Sequence, residues 1–139
     1  MNALVKKRIE PENVFKSSGY PYSQAIQSGG GELLFLAGQV ALDAESNYIG
    51  IGDIAAQTKQ VYANLVAVLK TVAADFSNVV DLTTFIVGRQ HLPVHQQTIK
   101  ELYIELLPQG DYPADTVVLV EGLYREEFLI EVKATAVLS

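Results

Sequence analysis

The sequence contains no cysteine. That absence removes disulfides, thiolate zinc sites and cysteine nucleophiles together, and it accords with a reducing compartment. Cations are scarce as well: 10 Lys and Arg stand against 16 Asp and Glu, a formal charge of −6. Nucleic-acid affinity rests largely on clustered cations facing phosphates, so this balance opposes a nucleic-acid partner. The one cationic cluster, Lys6, Lys7 and Arg8, reads as part of a solvated N-terminal arm over residues 1–19. No apolar run approaches the roughly 20 residues that a membrane-spanning helix needs, and residues 1–7 lack the long apolar stretch of a signal peptide. A cytoplasmic protein with no membrane partner is the expectation.

Motifs for common chemistries are missing too. His91 and His95 are the only histidines. Their i, i+4 spacing suits metal ligands, but His91 precedes Pro93 and no acidic third ligand accompanies them, so no metal site is expected. Gly29–Gly31 reads as a turn, since no Gly-Lys-Ser/Thr follows and no helix opens there. Ser23, Ser77, Thr83 and Thr84 have no G-x-S-x-G context, so a serine-hydrolase elbow is not supported. Nothing in the chain calls for a cofactor.

What the chain does contain is the balance of a globular core, with 139 residues, 49% apolar and 19% charged. Residues 1–139 are expected to form one domain. Residues 22–28 and 32–40 flank the glycine turn and predict a β-hairpin. Asp53 is placed to cap a helix whose apolar stripe is Ile54, Val61, Leu65, Val68, Leu69 and Val72, running toward Phe76. Residues 79–89 are β-branched and aromatic, which favours a strand. A second helix follows over 92–107, with Pro93 in its first turn, a stripe of Leu92, Ile99, Leu102, Tyr103 and Leu106, and Pro108 and Gly110 at its end. Two further strands, 116–121 and 128–138, are joined by GLYREE and read as a closing hairpin. The order ββαβαββ predicts an α+β fold, a mixed sheet with both helices on one face. In the last strand Phe128, Ile130, Val132, Ala134, Ala136 and Leu138 form one apolar side. Leu129, Glu131, Lys133, Thr135 and Val137 form a mixed one, a half-polar second face suited to burial against another subunit.

Two carboxylates stand among apolar strand residues. Asp115, in DYPADTVVLV, is either a turn residue bonding its own backbone beside Pro113 or the lining of a ligand cleft. Glu131 is either solvated, pairing with Lys133 or Arg125, or the holder of a water. Spacing alone favours the structural role for each.

Six short segments in order, Y-P-Y-S-Q-A (20–25), F-L-A-G-Q-V (35–40), Q-x-x-Q-V-x-x-N-L-x-x-V-L (57–69), V-V-D-L-T-T-F-I-V (79–87), Y-P-A (112–114) and I-E-V-K-A-T-A-V (130–137), make the chain resemble the Rid/YjgF family. Members of that family fold like the chorismate-mutase trimer, and their best-defined activity is hydrolysis of reactive enamines and imines. The resemblance implies a homotrimeric barrel with a small-molecule ligand in clefts between copies. It also implies cleft residues at Tyr22, Ala37, Gly38, Asp115, Val117 and Glu131, the last associated with the catalytic water. In the deaminating branch the residue after Pro-Ala is an arginine whose planar fork grips the substrate carboxylate; here it is Asp115. The chain therefore resembles the branch that lacks that arginine, unless Lys100, Arg89, Arg125 or Lys133 supplies the cation from elsewhere. Three functions follow as alternatives: hydrolysis of a non-acidic imine or enamine, with Glu131 on water and Asp115 on an iminium; a non-catalytic ligand-binding or regulatory trimer; and, disfavoured by the charge, the ribonuclease and translation-inhibitor activity reported for some relatives.

Overall fold

The computed structural model describes residues 5–139. Its elements in chain order are β1 (Val5–Ile9), β2 (Ala25–Gly29), β3 (Glu32–Gln39), α1 (Ile54–Lys70), β4 (Val79–Val87), α2 (Leu92–Leu106), β5 (Ala114–Val120) and β6 (Ile130–Leu138). Four strands form a mixed sheet in the order β3-β6-β4-β5, with β6 antiparallel to both neighbours and β4 parallel to β5. The α+β class, the mixed sheet and the two helices agree with the sequence reading.

Both hairpins are corrections. β2 does not pair with β3 across the glycines; it pairs antiparallel with β1, from Val5↔Gly29 to Ile9↔Ala25. β5 and β6 are likewise not partners, because β6 inserts between β3 and β4. Sequence adjacency favours a hairpin, but the strand with the most continuous apolar face takes the central place, where both of its edges are paired. The arm is corrected with them. Lys6 and Arg8 belong to β1, which makes the order βββαβαββ. The Lys6 ammonium donates to Ser77 O at 2.9 Å and Asp111 O at 3.0 Å, with Asp111 Oδ2 at 3.7 Å.

Asp53 caps α1 as expected, its Oδ1 accepting from Ala56 N at 3.1 Å. The helix stops at Lys70, six residues short of Phe76, because Thr71 folds its hydroxyl back to Val68 O and Ala73 turns to a φ of 56°. Val72 falls beyond the helix and is exposed. Val61, Leu65 and Leu69 of α1 and Ile99 and Tyr103 of α2 close over Leu82, Ile86, Ile130, Val132, Ala134 and Ala136 of the sheet in one core. Gln57, also buried, stitches α1 to the loop before β6: its Nε2 donates to Gly50 O at 3.1 Å and Glu127 O at 2.8 Å, and its Oε1 accepts from Leu129 N at 2.9 Å. Gly88, at φ 93°, turns the chain from β4 toward α2 through a single 3₁₀ turn at Arg89–His91.

Sheet partners point to the same side. The register therefore places Leu82, Thr84 and Asp115 on the helix face, and Phe85, Glu131 and Val118 on the other. That second face carries Leu33, 60% exposed, and Phe35, 68% exposed.

Candidate functional site

The segment after β1 reaches the sheet edge at Ser23, whose N–H donates to Pro113 O at 3.0 Å and whose hydroxyl donates to Tyr112 O at 2.6 Å. This tie sets Tyr20, Pro21 and Tyr22 beside the start of β5. Together with Leu92, His95, Gln96 and Ile99 of α2 and Asp115 and Val117 of β5, they enclose a pocket of about 330 Å³. The walls are mostly apolar, and among these lining residues there is no cation.

Asp115 enters from the second residue of β5 and accepts a hydrogen bond from the Thr84 hydroxyl at 3.1 Å. Burial pushes its carboxyl up to about 7; the bonds from Thr84 and from the Thr116 backbone oppose that rise, and the nearby Asp81 adds to it. Behind it, Tyr62 and Tyr103 are fully buried with hydroxyls 3.4 Å apart. Desolvation raises both phenols, and the negative charge of Asp115 adds to the effect. His95, 5% exposed, lies with Nδ1 3.3 Å from Thr58 Oγ1, and burial pushes its imidazole down to about 4. The ring is therefore neutral at physiological pH.

Of the residues marked out by sequence, Tyr22, Asp115 and Val117 meet in this pocket. Glu131 and Gly38 meet elsewhere. They lie where the β3–β6 register shifts between Leu36 and Gln39, and a Cβ added at Gly38 would collide with the Glu131 carboxylate. Ala37 is exposed at that irregularity. Within one chain Asp115 and Glu131 thus lie on opposite faces of the sheet. Glu131 forms no ion pair with Lys133 or Arg125 among the described residues, which corrects that expectation. Arg125 instead lies over Tyr48, 5.8 Å from the ring centroid, and donates to its hydroxyl at 3.1 Å. Arg89, Lys100 and Lys133 are exposed and line no part of the pocket. Arg8, which the sequence places in a solvated N-terminal arm, comes closer: it donates to Tyr22 O at 3.4 Å and pairs with Glu10 at 3.1 Å.

His95 was also missed as a pocket residue. The signal was present, since it stands three residues after Leu92 and four before Ile99 on the inward stripe of α2. Among the described residues no cluster of three His, Cys, Asp or Glu side chains is arranged to hold a metal. No helix among them is long and apolar enough to cross a membrane.

The fold and pocket define a small α+β protein with a mixed four-stranded sheet, covered on one face by helices, and a ligand-sized pocket at its parallel edge. The chain belongs to the Rid/YjgF family, whose model, described as Endoribonuclease L-PSP, matches residues 14–138. It is 35% identical over 137 residues to Protein DfrA of Myxococcus xanthus, covering 99% of each chain. It is 31% identical over 103 residues to the 2-iminobutanoate/2-iminopropanoate deaminase of Dermatophagoides farinae, covering 74% of this chain and 75% of that one. A crystal structure of the Rid-family protein YyfB from Yersinia pestis, described as of unknown function, superposes with a TM-score of 0.86 at 35% identity, covering 96% of this chain and 98% of that one.

Proposed function

We propose that this chain belongs to the arginine-lacking branch of the family, binds a small cationic or amine-bearing metabolite at Asp115, and hydrolyses a non-acidic imine or enamine. The observation that carries this reading is the pocket itself, where a half-buried carboxylate is the one charged side chain in a mostly apolar and aromatic lining that also includes the neutral His95 and Gln96. An anionic substrate is disfavoured there: two like charges about 4 Å apart repel by about 4 kcal/mol at intermediate screening. A cationic nitrogen gains a similar attraction. Binding such a ligand favours the ionised carboxyl, so affinity rises with pH through about 7, where Asp115 titrates.

The working form in this reading is a homotrimer with the ligand cleft between copies. The half-apolar open face, with Leu33 and Phe35 exposed, supports it. Because one chain holds Asp115 and Glu131 on opposite faces, the water-activating Glu131 in this reading comes from a neighbouring copy. The net charge of −6 and a pocket without cations oppose RNA as the substrate.

The test is a direct assay. Ammonia release from 2-iminobutanoate or 2-iminopropanoate is expected to be negligible, and Asp115→Arg is expected to raise it. Hydrolysis by the unmodified chain at rates typical of arginine-bearing relatives would sink the reading. The separation of Asp115 from Glu131 favours a second reading, a non-catalytic binding trimer. It predicts ligand-dependent thermal stabilisation without turnover, unaltered by Glu131→Gln.

A further inference from the structure

Asp115 is not the only titratable side chain in the pocket wall. His95 enters from α2, and its one partner among the described residues is the Thr58 hydroxyl, 3.3 Å from Nδ1. A neutral imidazole has one N–H and one lone-pair nitrogen, so the direction of this bond decides what Nε2 offers. Threonine within a helix commonly donates to the carbonyl four residues back, as Thr98 does to Val94 O at 2.8 Å. Thr58 makes no such bond among the described residues, and it is 0% exposed. Leaving a buried hydroxyl proton without an acceptor costs about 1–3 kcal/mol. Thr58 therefore donates to Nδ1, and the ring proton sits on Nε2, which has no partner among the described residues.

The pocket then offers one anionic acceptor, Asp115, and a neutral imidazole N–H donor, His95, which stands beside the Gln96 amide on α2 and is flanked by Leu92, Ile99 and Val117. A ligand carboxylate would meet Asp115 unfavourably. A plain alkyl amine would leave the His95 N–H buried and unpaired. We propose that the pocket selects a small amine or iminium that also carries an uncharged carbonyl or amide oxygen, with Asp115 taking the cationic nitrogen and His95 Nε2–H the oxygen. This inference rests on the cation-binding reading above and adds the second polar group.

Calorimetric titration of the full chain at pH 7.5 with L-alaninamide, n-propylamine and L-alanine tests it. Alaninamide is expected to bind about 10-fold more tightly than propylamine, the worth of one buried hydrogen bond, and alanine the most weakly. His95→Phe is expected to bring the alaninamide-to-propylamine ratio close to one with propylamine affinity retained. His95→Gln keeps an N–H and should preserve the preference. Nitrogen-15 spectra of the unmodified protein should show the Nε2–H tautomer, with Nε2 shifting when alaninamide is added. Equal binding of alaninamide and propylamine, both abolished by Asp115→Asn, would overturn the role of His95 and leave the cation site standing. Absence of binding by either amine, or binding indifferent to Asp115→Asn, would overturn both.

Discussion

Asp115 and His95 share one pocket, and burial acts on them in opposite senses, raising the carboxyl to about 7 and lowering the imidazole to about 4. Folded Asp115 holds its proton more tightly than the unfolded chain does. Its contribution to stability is full in acid, below the ordinary carboxylate range, and is lost as pH rises through about 7. Folded His95 gives up its proton more readily, so its contribution is present above the ordinary imidazole range and is lost as pH falls toward about 4. Between those limits the two dependences oppose each other. Asp115→Asn removes one of them and keeps an acceptor for Thr84. Urea unfolding should show the variant more stable than the parent chain at pH 8. On going from pH 6.5 to 4.5, its stability should fall more steeply by up to about 1.4 kcal/mol per pH unit. Parallel curves would mean that Asp115 does not titrate as burial dictates. At Gly38, an added methyl meets the Glu131 carboxylate rather than backbone. Gly38→Ala should therefore leave the melting temperature within a few degrees while displacing Glu131, and any hydrolysis that depends on Glu131 should fall with it.

At the scale of elements, two polar side chains fasten pieces that hydrophobic patterning leaves loose. Gln57 satisfies three backbone groups at once, the carbonyls of Gly50 and Glu127 and the N–H of Leu129. Gln57→Leu preserves the volume and orphans all three, a loss of about 3 kcal/mol readable in chemical denaturation. Lys6 fastens β1 to the turns before β4 and β5, through Ser77 O and Asp111. Lys6→Met should raise amide exchange across the β1–β2 pair and leave protection of the central strand β6 unchanged. Uniform loss of protection would instead make β1 part of the cooperative core.

For the whole molecule, the open face of the sheet sets the expectation. Phe35, 68% exposed, and Leu33, 60% exposed, lie with Val118 and Phe85 on the side that the helices leave bare. The proposed homotrimer covers that face, so the chain is expected to sediment at three times its own mass. Phe35→Asp, which places a charge in the proposed interface, should yield a smaller species. Mixed Asp115→Asn and Glu131→Gln chains offer a sharper measurement. If the two residues act across copies, mixtures assembled from unfolded chains should regain part of the activity that each variant lacks. A single sedimenting species at the chain mass would remove both expectations.

Composition and periodicity already established much of this protein. The spacing of Val61, Leu65 and Leu69, the Asp53 cap and Pro93 in the first turn of α2 mark helices through local rules, because the neighbours that matter lie within one turn of the chain. The alternation in β6 likewise announced one buried face and one mixed face. The pairing of strands was not legible in the same way. Local reasoning joins sequence neighbours, whereas the tertiary fold joined β1 to β2 and drove β6 between β3 and β4, where both of its edges find partners. The site divides along the same line. The place of Asp115, at the entrance to an apolar strand, was visible in DYPADTVVLV, but its chemistry depends on what surrounds it. Thr84, the buried tyrosines and His95 all come from other elements. Only their convergence turns a turn carboxylate into a pocket group titrating near neutrality, and only the sheet register separates it from Glu131.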